Sequence, residues 1–180
     1  NSLGYSDWSN IPGSLNEINN ISGIIKYTDQ ISGYNATEAT IKELSLTGEL
    51  AKYKMIHFAT HGVVVPEIPE LSAVVLSQFE DISDSEDGYL RMGEIAELEI
   101  NADFVNLSAC ETGLGKIYSG EGVVGLTQGF ILAGANSVSV SLWPIADEAT
   151  SEFMVSVYNK IAQGKGYSES LINTKREFIS

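Results

Sequence analysis

Two stretches decide the fold class, residues 53–62 (YKMIHFATHG) and residues 103–110 (DFVNLSAC). Each begins as a short apolar run, which is typical of a buried strand. Around them, short runs rich in β-branched residues alternate with longer segments of helical periodicity, which indicates an α/β protein. Because open α/β sheets bind ligands outside the carboxyl ends of their strands, the sequence predicts that His61 and Cys110 leave two core strands at the functional edge.

The other predicted elements follow from the spacing of apolar residues. Residues 15–25 have helical periodicity, and Ser14 with Glu17 predicts an amino-terminal cap for this helix. Further helices are predicted at 36–46, 121–133, 147–163 and 168–179, and further strands at 71–76 and 136–143.

The composition of the chain limits the classes of function that we expect for it. The chain has 180 residues, of which 43% are hydrophobic, so we expect one folded globular domain. Its 24 acidic and 10 basic side chains give a net charge of −14. Such a surface disfavours direct nucleic-acid binding and favours basic peptides or a basic partner.

The cysteine content, the length of the apolar runs and the first residue lead to three expectations about where the protein acts and how it is built. One cysteine excludes an internal disulfide and fits a reducing compartment, so we expect a cytoplasmic protein. No run approaches the ~20 apolar residues of a membrane span, and we expect no membrane contact. Because the chain starts at Asn1 and not at Met, we expect it to be part of a longer protein.

Residues 78–88 (QFEDISDSEDG) hold five carboxylates in eleven positions. This pattern predicts a solvated loop that is mobile and accessible to proteases. A calcium loop is the sharper alternative, but the segment lacks the order of carboxylates and glycine that an EF-hand requires.

Two other motifs suggest cofactors that we do not expect. His57 and His61 have the spacing of a helical zinc pair, but they lie in a strand-like run, and His57 is interpreted as a hydrogen-bonded core residue. Residues 120–125 (GEGVVG) match a dinucleotide fingerprint, but about ten loop residues separate them from the preceding strand, where a nucleotide fold has a tight turn. We therefore expect no metal and no other cofactor.

Cys110 and His61 together suggest nucleophilic chemistry. An ordinary thiol is only a few per cent ionised at neutral pH, so a nucleophilic cysteine needs an imidazole nearby. Gly62 lacks a Cβ, and its N–H with that of Cys110 would form an oxyanion hole. The alternative is that Cys110 is a buried small hydrophobic residue, although the glycine-rich segment after it resembles a loop.

Six ordered motifs resemble the CHAT domain, a branch of the caspase-like peptidases that is similar to separase and is often attached to tetratricopeptide repeats. They are HFATHG (57–62), DGYL (87–90), LSACETG (107–113), GEGVVGL (120–126), FILAGA (130–135) and SLWPIADEAT (141–150).

The resemblance implies one caspase-like domain over residues 1–180. It implies a three-layer α/β/α sandwich with a mainly parallel sheet, incomplete at both ends because the family's first and last core strands are missing or curtailed. It also implies a dyad of His61 and Cys110, with Gly62 and Cys110 as oxyanion donors. The expected partners are a protein substrate and a regulatory segment such as tetratricopeptide repeats.

The function expected from this resemblance is a cysteine endopeptidase. The alternative is an interaction or scaffold module that keeps the fold without turnover. The stretch ending at Asp147 resembles the LW-x-x-x-D stretch of separase, which cleaves after Arg, so Asp147 is expected to bind a basic residue before the scissile bond. Asp103 and Glu111 are alternatives for this role, and Asp147 also fits a helix cap.

Overall fold

The computed structural model describes residues 8, 10–65, 68–78, 86–108, 110–111, 121–141 and 147–179, and at positions 110, 111, 121–123 and 147 it describes the backbone alone. The helices are α1 (Pro12–Ile24), α2 (Glu38–Leu46), α3 (Met92–Ala96), α4 (Glu121–Leu132), α5 (Asp147–Ala162) and α6 (Tyr167–Ile179). The strands are β1 (Met55–Phe58), β2 (His61–Val63), β3 (Ala73–Val75), β4 (Tyr89–Arg91), β5 (Phe104–Leu107), β6 (Cys110–Glu111) and β7 (Val138–Val140).

The chain divides into two compact units. A sheet unit comprises Asn1–Trp8 and Ser32–Pro144, and a helical unit comprises Ser9–Ile31 and Ile145–Ser180. All seven described strands belong to the sheet unit, and α1, α5 and α6 belong to the helical unit. The predicted α/β class is confirmed.

The sheet unit contains a three-stranded parallel sheet of order β1-β5-β7. In its register, Ile56 lies opposite Val105, and Val105 lies opposite Val138. Strands of this kind are apolar because both faces of a parallel sheet are covered. The strand predictions at 53–60, 103–109 and 136–143 are confirmed in their central residues.

A second sheet has the order β4-β3-β2-β6. Strand β2 is parallel to β6, whereas β3 is antiparallel to both β2 and β4. Strand β4 and helix α3 were not predicted from the sequence, since three and five residues are too few to show a period.

One face of the parallel sheet packs against the core. Phe58 and Leu107 are buried there, and the ring of Phe58 lies 5.5 Å from that of Phe130 on α4. Helix α4 approaches α3 closely because Gly129 has no side chain: a Cβ there would lie 3.0 Å from the carbonyl oxygen of Met92. This core fixes the strands that carry the candidate site.

The helix predictions agree with the observed bounds within a few residues, apart from the cap of α1. We expected Ser14 to cap this helix, but α1 begins at Pro12 with Ile11 in the cap position. The Ser14 hydroxyl instead donates to the carbonyl oxygen of Ile11, at 2.8 Å. Proline is favoured in the first helical turn because its missing N–H has no partner there anyway, so it sets the start.

The helical unit packs α1 and α6 against α5. Glu17 and Tyr158 are buried in it, with 1% of each residue exposed. Burial raises the pKa of the Tyr158 hydroxyl, and the charge of Glu17 raises it further. At the surface, Lys160 and Glu177 form an ion pair at 2.7 Å.

Most of the acidic segment, residues 79–85, lies outside the described residues, so the expectation of a mobile loop there stays a prediction. Its carboxyl end is held in the sheet unit. The backbone N–H of Gly88 donates to the buried carboxylate of Glu38. The Arg91 guanidinium donates to both oxygens of Asp87, at 3.0 and 2.6 Å.

The charged groups around the carboxyl end of the acidic segment, Glu38, Lys42 and Asp87, have shifted pKa values. Burial raises the pKa of Glu38, although the Gly88 N–H opposes the shift. Burial alone would lower the pKa of Lys42, but hydrogen bonds and charges from Glu94 and Glu38 raise it. Burial alone would raise the pKa of Asp87, but the bonds from Arg91 lower it.

Gly134, which connects α4 to β7, is expected to tolerate no side chain. Its φ is +109°, and an added Cβ would collide with the carbonyl oxygen of Ile100. Gly48 is a matched control because its φ is also positive, at +71°, but nothing lies within 4 Å of an added Cβ. Gly134→Ala should therefore lower the free energy of unfolding by about 1–3 kcal/mol more than Gly48→Ala. Urea titration measures both; equal losses would contradict the close approach.

Asp87 is expected to stabilise the fold only when ionised. A carboxyl whose pKa is lower in the folded state stabilises above its unfolded pKa, here 3.8, and loses that contribution as the pH falls through the folded pKa. Asp87→Asn should thus be less stable than the parent at pH 7, with the difference fading below about pH 4. In an Arg91→Gln background the pH-dependent difference should shrink. Urea titrations between pH 2.5 and 7 test this, and a pH-independent loss would contradict it.

Candidate functional site

The strand register brings His61 and Cys110 together. In β1 and β5, each residue lies opposite the one 49 positions later, as His57 lies opposite Asn106. The same offset holds in β2 and β6, where His61 lies opposite Cys110. Adjacent strands are about 4.8 Å apart, so the two backbones are direct neighbours.

Both residues follow the apolar strands β1 and β5, as the sequence predicts, but each lies in a further short strand that the sequence does not show. The pairing of β1 with β5 is interrupted and then resumes, and His61 and Cys110 lie in the resumed strands β2 and β6. The Ser108 N–H donates to the carbonyl oxygen of Phe58 at 2.8 Å, which extends the ladder by one bond beyond β5. The sequence could not show the resumed pairing because two or three residues have no detectable period.

His61 is almost fully covered. Its exposed fraction is 5%, and its ring centroid lies 5.0 Å from that of Trp8, with 31° between the ring planes. The indole Nε1–H of Trp8 donates to the hydroxyl of Tyr89 at 3.1 Å. Sequence reasoning missed Trp8, since a lone tryptophan 53 positions before the histidine gives no local signal.

A row of polar residues crosses the parallel sheet before the site. His57, Asn106 and Ser139 are register partners. The Asn106 amide lies 3.1 Å from His57 Nδ1, and because an amide nitrogen can only donate, Nδ1 is the acceptor. The hydrogen bond agrees with the interpretation of His57, but the residue is half-buried and is therefore not part of the core.

Ser108 lies between this polar row and Cys110. It is 93% buried, since only 7% of its surface is exposed. Its hydroxyl has no hydrogen-bond partner among the described residues. A buried hydroxyl normally finds a partner, so this one marks the approach to the site as polar and incompletely satisfied.

The remaining predicted site residues fall in different places. Gly62 lies in β2 between Val74 of β3 and Glu111 of β6. Asp147 is the first residue of α5, in the helical unit.

Asp103 is not at the functional edge. It precedes β5, and its carboxylate accepts from the Asn136 amide at 3.2 Å. Asp103 therefore lies at the amino end of β5, whereas β6 with Cys110 follows the carboxyl end of that strand. Asp103 is therefore removed as an alternative for the basic-residue pocket, whereas Glu111, which follows Cys110 directly, is retained.

Neither a metal site nor a membrane-spanning helix is found within the described ranges. No group of three or more His, Cys, Asp or Glu side chains is arranged there to hold a metal ion. None of the helices in those ranges combines the length and apolar character that crossing a membrane needs.

Two known proteins that are similar to this chain are named for tetratricopeptide repeats. Tetratricopeptide repeat protein 28 of Mus musculus is 32% identical over 98 residues, which cover 53% of this chain and 4% of that protein. Tetratricopeptide repeat protein 28 of Homo sapiens is 23% identical over 193 aligned positions, which cover 91% of this chain and 8% of that protein. The chain thus spans less than a tenth of the length of these relatives.

The family comparison covers nearly all of the sequence. Residues 3–180 match the CHAT domain, which confirms the resemblance carried by the six motifs. The match includes both the sheet unit with His61 and Cys110 and the helical unit with Asp147. The chain belongs to the CHAT domain family, which is found in caspase-like peptidases.

Proposed function

We propose that this chain is a cysteine endopeptidase that hydrolyses a protein substrate through Cys110 and His61. The single observation that carries the proposal is the register of β2 and β6, in which these two positions are direct partners. Partners in adjacent strands share a face of the sheet, so a thiol and an imidazole at these positions are within reach of each other.

The reaction requires only groups of this chain and water. His61 takes the thiol proton as the Cys110 sulfur attacks the carbonyl carbon of the scissile bond. The N–H groups of Gly62 and Cys110 stabilise the oxyanion that forms. The carbon–nitrogen bond then breaks, and His61 returns the proton to the leaving amine. Water, deprotonated by His61, attacks the thioester and releases the acid and the thiol.

The setting we propose follows from the family. We infer that the two units together form one caspase-like domain, a three-layer α/β/α sandwich, which acts in the cytoplasm as part of a longer protein. The names of the similar proteins support tetratricopeptide repeats as the regulatory partner. The net charge of −14 disfavours nucleic acid as a direct ligand.

The alternative function is a non-catalytic interaction module. One observation favours it. His61 is only 5% exposed, and the centroid of its ring lies 5.0 Å from that of Trp8. In a module without turnover, such a histidine is a core residue, and a thiol-directed peptide electrophile would not label Cys110 in a His61-dependent way. In a peptidase it would.

Removal of either dyad residue should abolish or strongly lower turnover without unfolding. Cys110→Ala should leave no measurable peptide cleavage, and His61→Ala should lower kcat by roughly 10²–10⁴-fold, the usual share of proton transfer. Peptide hydrolysis is measured beside circular dichroism of each variant. Wild-type turnover by a folded Cys110→Ala variant would reject the mechanism.

His57 supplies the matched control. His57→Ala removes the hydrogen bond between His57 and the amide of Asn106, a residue that is 98% buried, and should lower stability by about 1–3 kcal/mol, but it should retain most of the turnover. If His57→Ala is inactive while folded and His61→Ala is active, the dyad has been assigned to the wrong histidine.

Asp147 is proposed to bind the basic residue before the scissile bond, so cleavage after Arg or Lys is expected. Asp147→Asn should lower kcat/KM for Arg peptides by about 10–100-fold relative to peptides with a neutral residue there, the usual value of a hydrogen bond to a charged group. The exposed neighbour Glu148 is the control, and Glu148→Gln should leave the preference unchanged. A preference for Asp, or an unchanged Arg preference in folded Asp147→Asn, would contradict the assignment.

A further inference from the structure

We propose that Trp8 is a positioning residue for His61 and that Tyr89 holds it in place. The inference rests on the proposed function, because it concerns how the imidazole of the dyad is oriented. It is carried by three described side chains of the sheet unit, which lie far apart in sequence and meet at the site.

Trp8 lies beside the His61 ring. The ring centroids are 5.0 Å apart and the planes are tilted by 31°. Aromatic rings at this separation attract each other. Trp8 therefore limits the positions that the His61 ring can adopt, and the indole that does so neither takes up nor releases protons itself.

Strand pairing fixes the backbone of His61 but not the orientation of its ring. His61 is the first residue of β2, a strand of three residues, and it follows the break in pairing at positions 59 and 60. Side-chain rotation about a strand residue is fixed by what packs on it. Only 5% of His61 is exposed, so its neighbours restrict the ring, and Trp8 is an aromatic side chain among those neighbours.

Trp8 is in turn fixed by Tyr89. Its Nε1–H donates to the Tyr89 hydroxyl at 3.1 Å, and the two rings are 6.3 Å apart. Tyr89 lies in β4 opposite Val75. The Arg91 guanidinium lies 5.6 Å from the centre of the Tyr89 ring and is held by Asp87. The support of His61 therefore extends from Trp8 to the anchored end of the acidic segment.

The contact is tested first without reference to activity. The chain has two histidines, so the imidazole signals of a ¹³C-histidine-labelled sample belong to His57 and His61 and are assigned with His57→Gln. Trp8→Ala and Tyr89→Phe should both shift the His61 ring signals and leave those of His57 in place. The control Tyr27→Phe, at a residue 98% exposed, should shift neither. Unchanged His61 signals in Trp8→Ala would overturn the inference.

Kinetics test the role. Trp8→Ala should lower kcat by roughly 10–100-fold, the cost of a misplaced catalytic group, while KM changes by less than about threefold. Trp8→Phe keeps an aromatic face and should recover most of the rate. A rise in kcat in Trp8→Ala would identify Trp8 as a cover that blocks the site, and an unchanged kcat would make it a packing residue. Either result overturns the inference.

Peptide cleavage by the wild-type protein distinguishes failure of the proposed function from failure of this inference. If it cleaves no peptide, the peptidase proposal fails, and the rate at which iodoacetamide alkylates Cys110 becomes the readout. Trp8→Ala should then slow alkylation toward the rate of His61→Ala. Equal rates in wild type and Trp8→Ala, with His61→Ala slower, would overturn the role of Trp8 independently of turnover.

Discussion

The unbroken register between residues 55–62 and residues 104–111 is the constraint on which the candidate site depends. Strand pairing stops after Phe58 and resumes at His61, yet the offset is the same on both sides of the gap. The bond from the Ser108 N–H to the Phe58 carbonyl lies at the start of the interruption. A slip of one residue would move His61 to the other face relative to Cys110, because side chains alternate along a strand. The strand register therefore sets how the backbones of positions 61 and 110 lie relative to each other.

The core face of the parallel sheet makes that register rigid. Val105 and Leu107 are buried in the cluster that also contains Phe130 of α4, and a shift of register would expose them. Asn106, which lies between them in sequence, is on the other face of the strand. It is buried there with His57 as a polar partner, and Ser108 follows two positions later. Alternation thus separates an apolar face, which holds the strands, from a polar face that leads to Cys110.

The acidic composition of the chain has a structural counterpart near the site. Glu38 is buried with Gly88 as a donor, and Lys42 contacts Glu38 and Glu94 at 3.3 and 2.8 Å. A buried charge is tolerated only when it is paired or hydrogen-bonded, and the buried carboxylate of Glu38 is both. The arrangement ties the carboxyl end of the acidic segment to α2 and α3. Strand β4, which carries Tyr89, begins directly after this anchor.

The sequence by itself determined the α/β class, the approximate bounds of the helices and the membership of the CHAT family. These follow from periodicity over ten or more residues and from six motifs in order, both of which are local or linear properties. It also named His61 and Cys110, because reactive side chains after apolar runs are visible in one dimension. The roles of these two residues, of Gly62 and of Asp147 remain proposals.

Only the tertiary structure decided what lies beside these residues. It showed the resumed strands β2 and β6, the short β4 and α3, and the stacking of Trp8 on His61. It also removed Asp103 by placing it at the opposite end of β5. Elements of two to five residues have no period, and contacts across 53 or 81 positions depend on how the whole sheet packs. The physical reason is that long-range packing and strand register are cooperative, and no local segment encodes them alone.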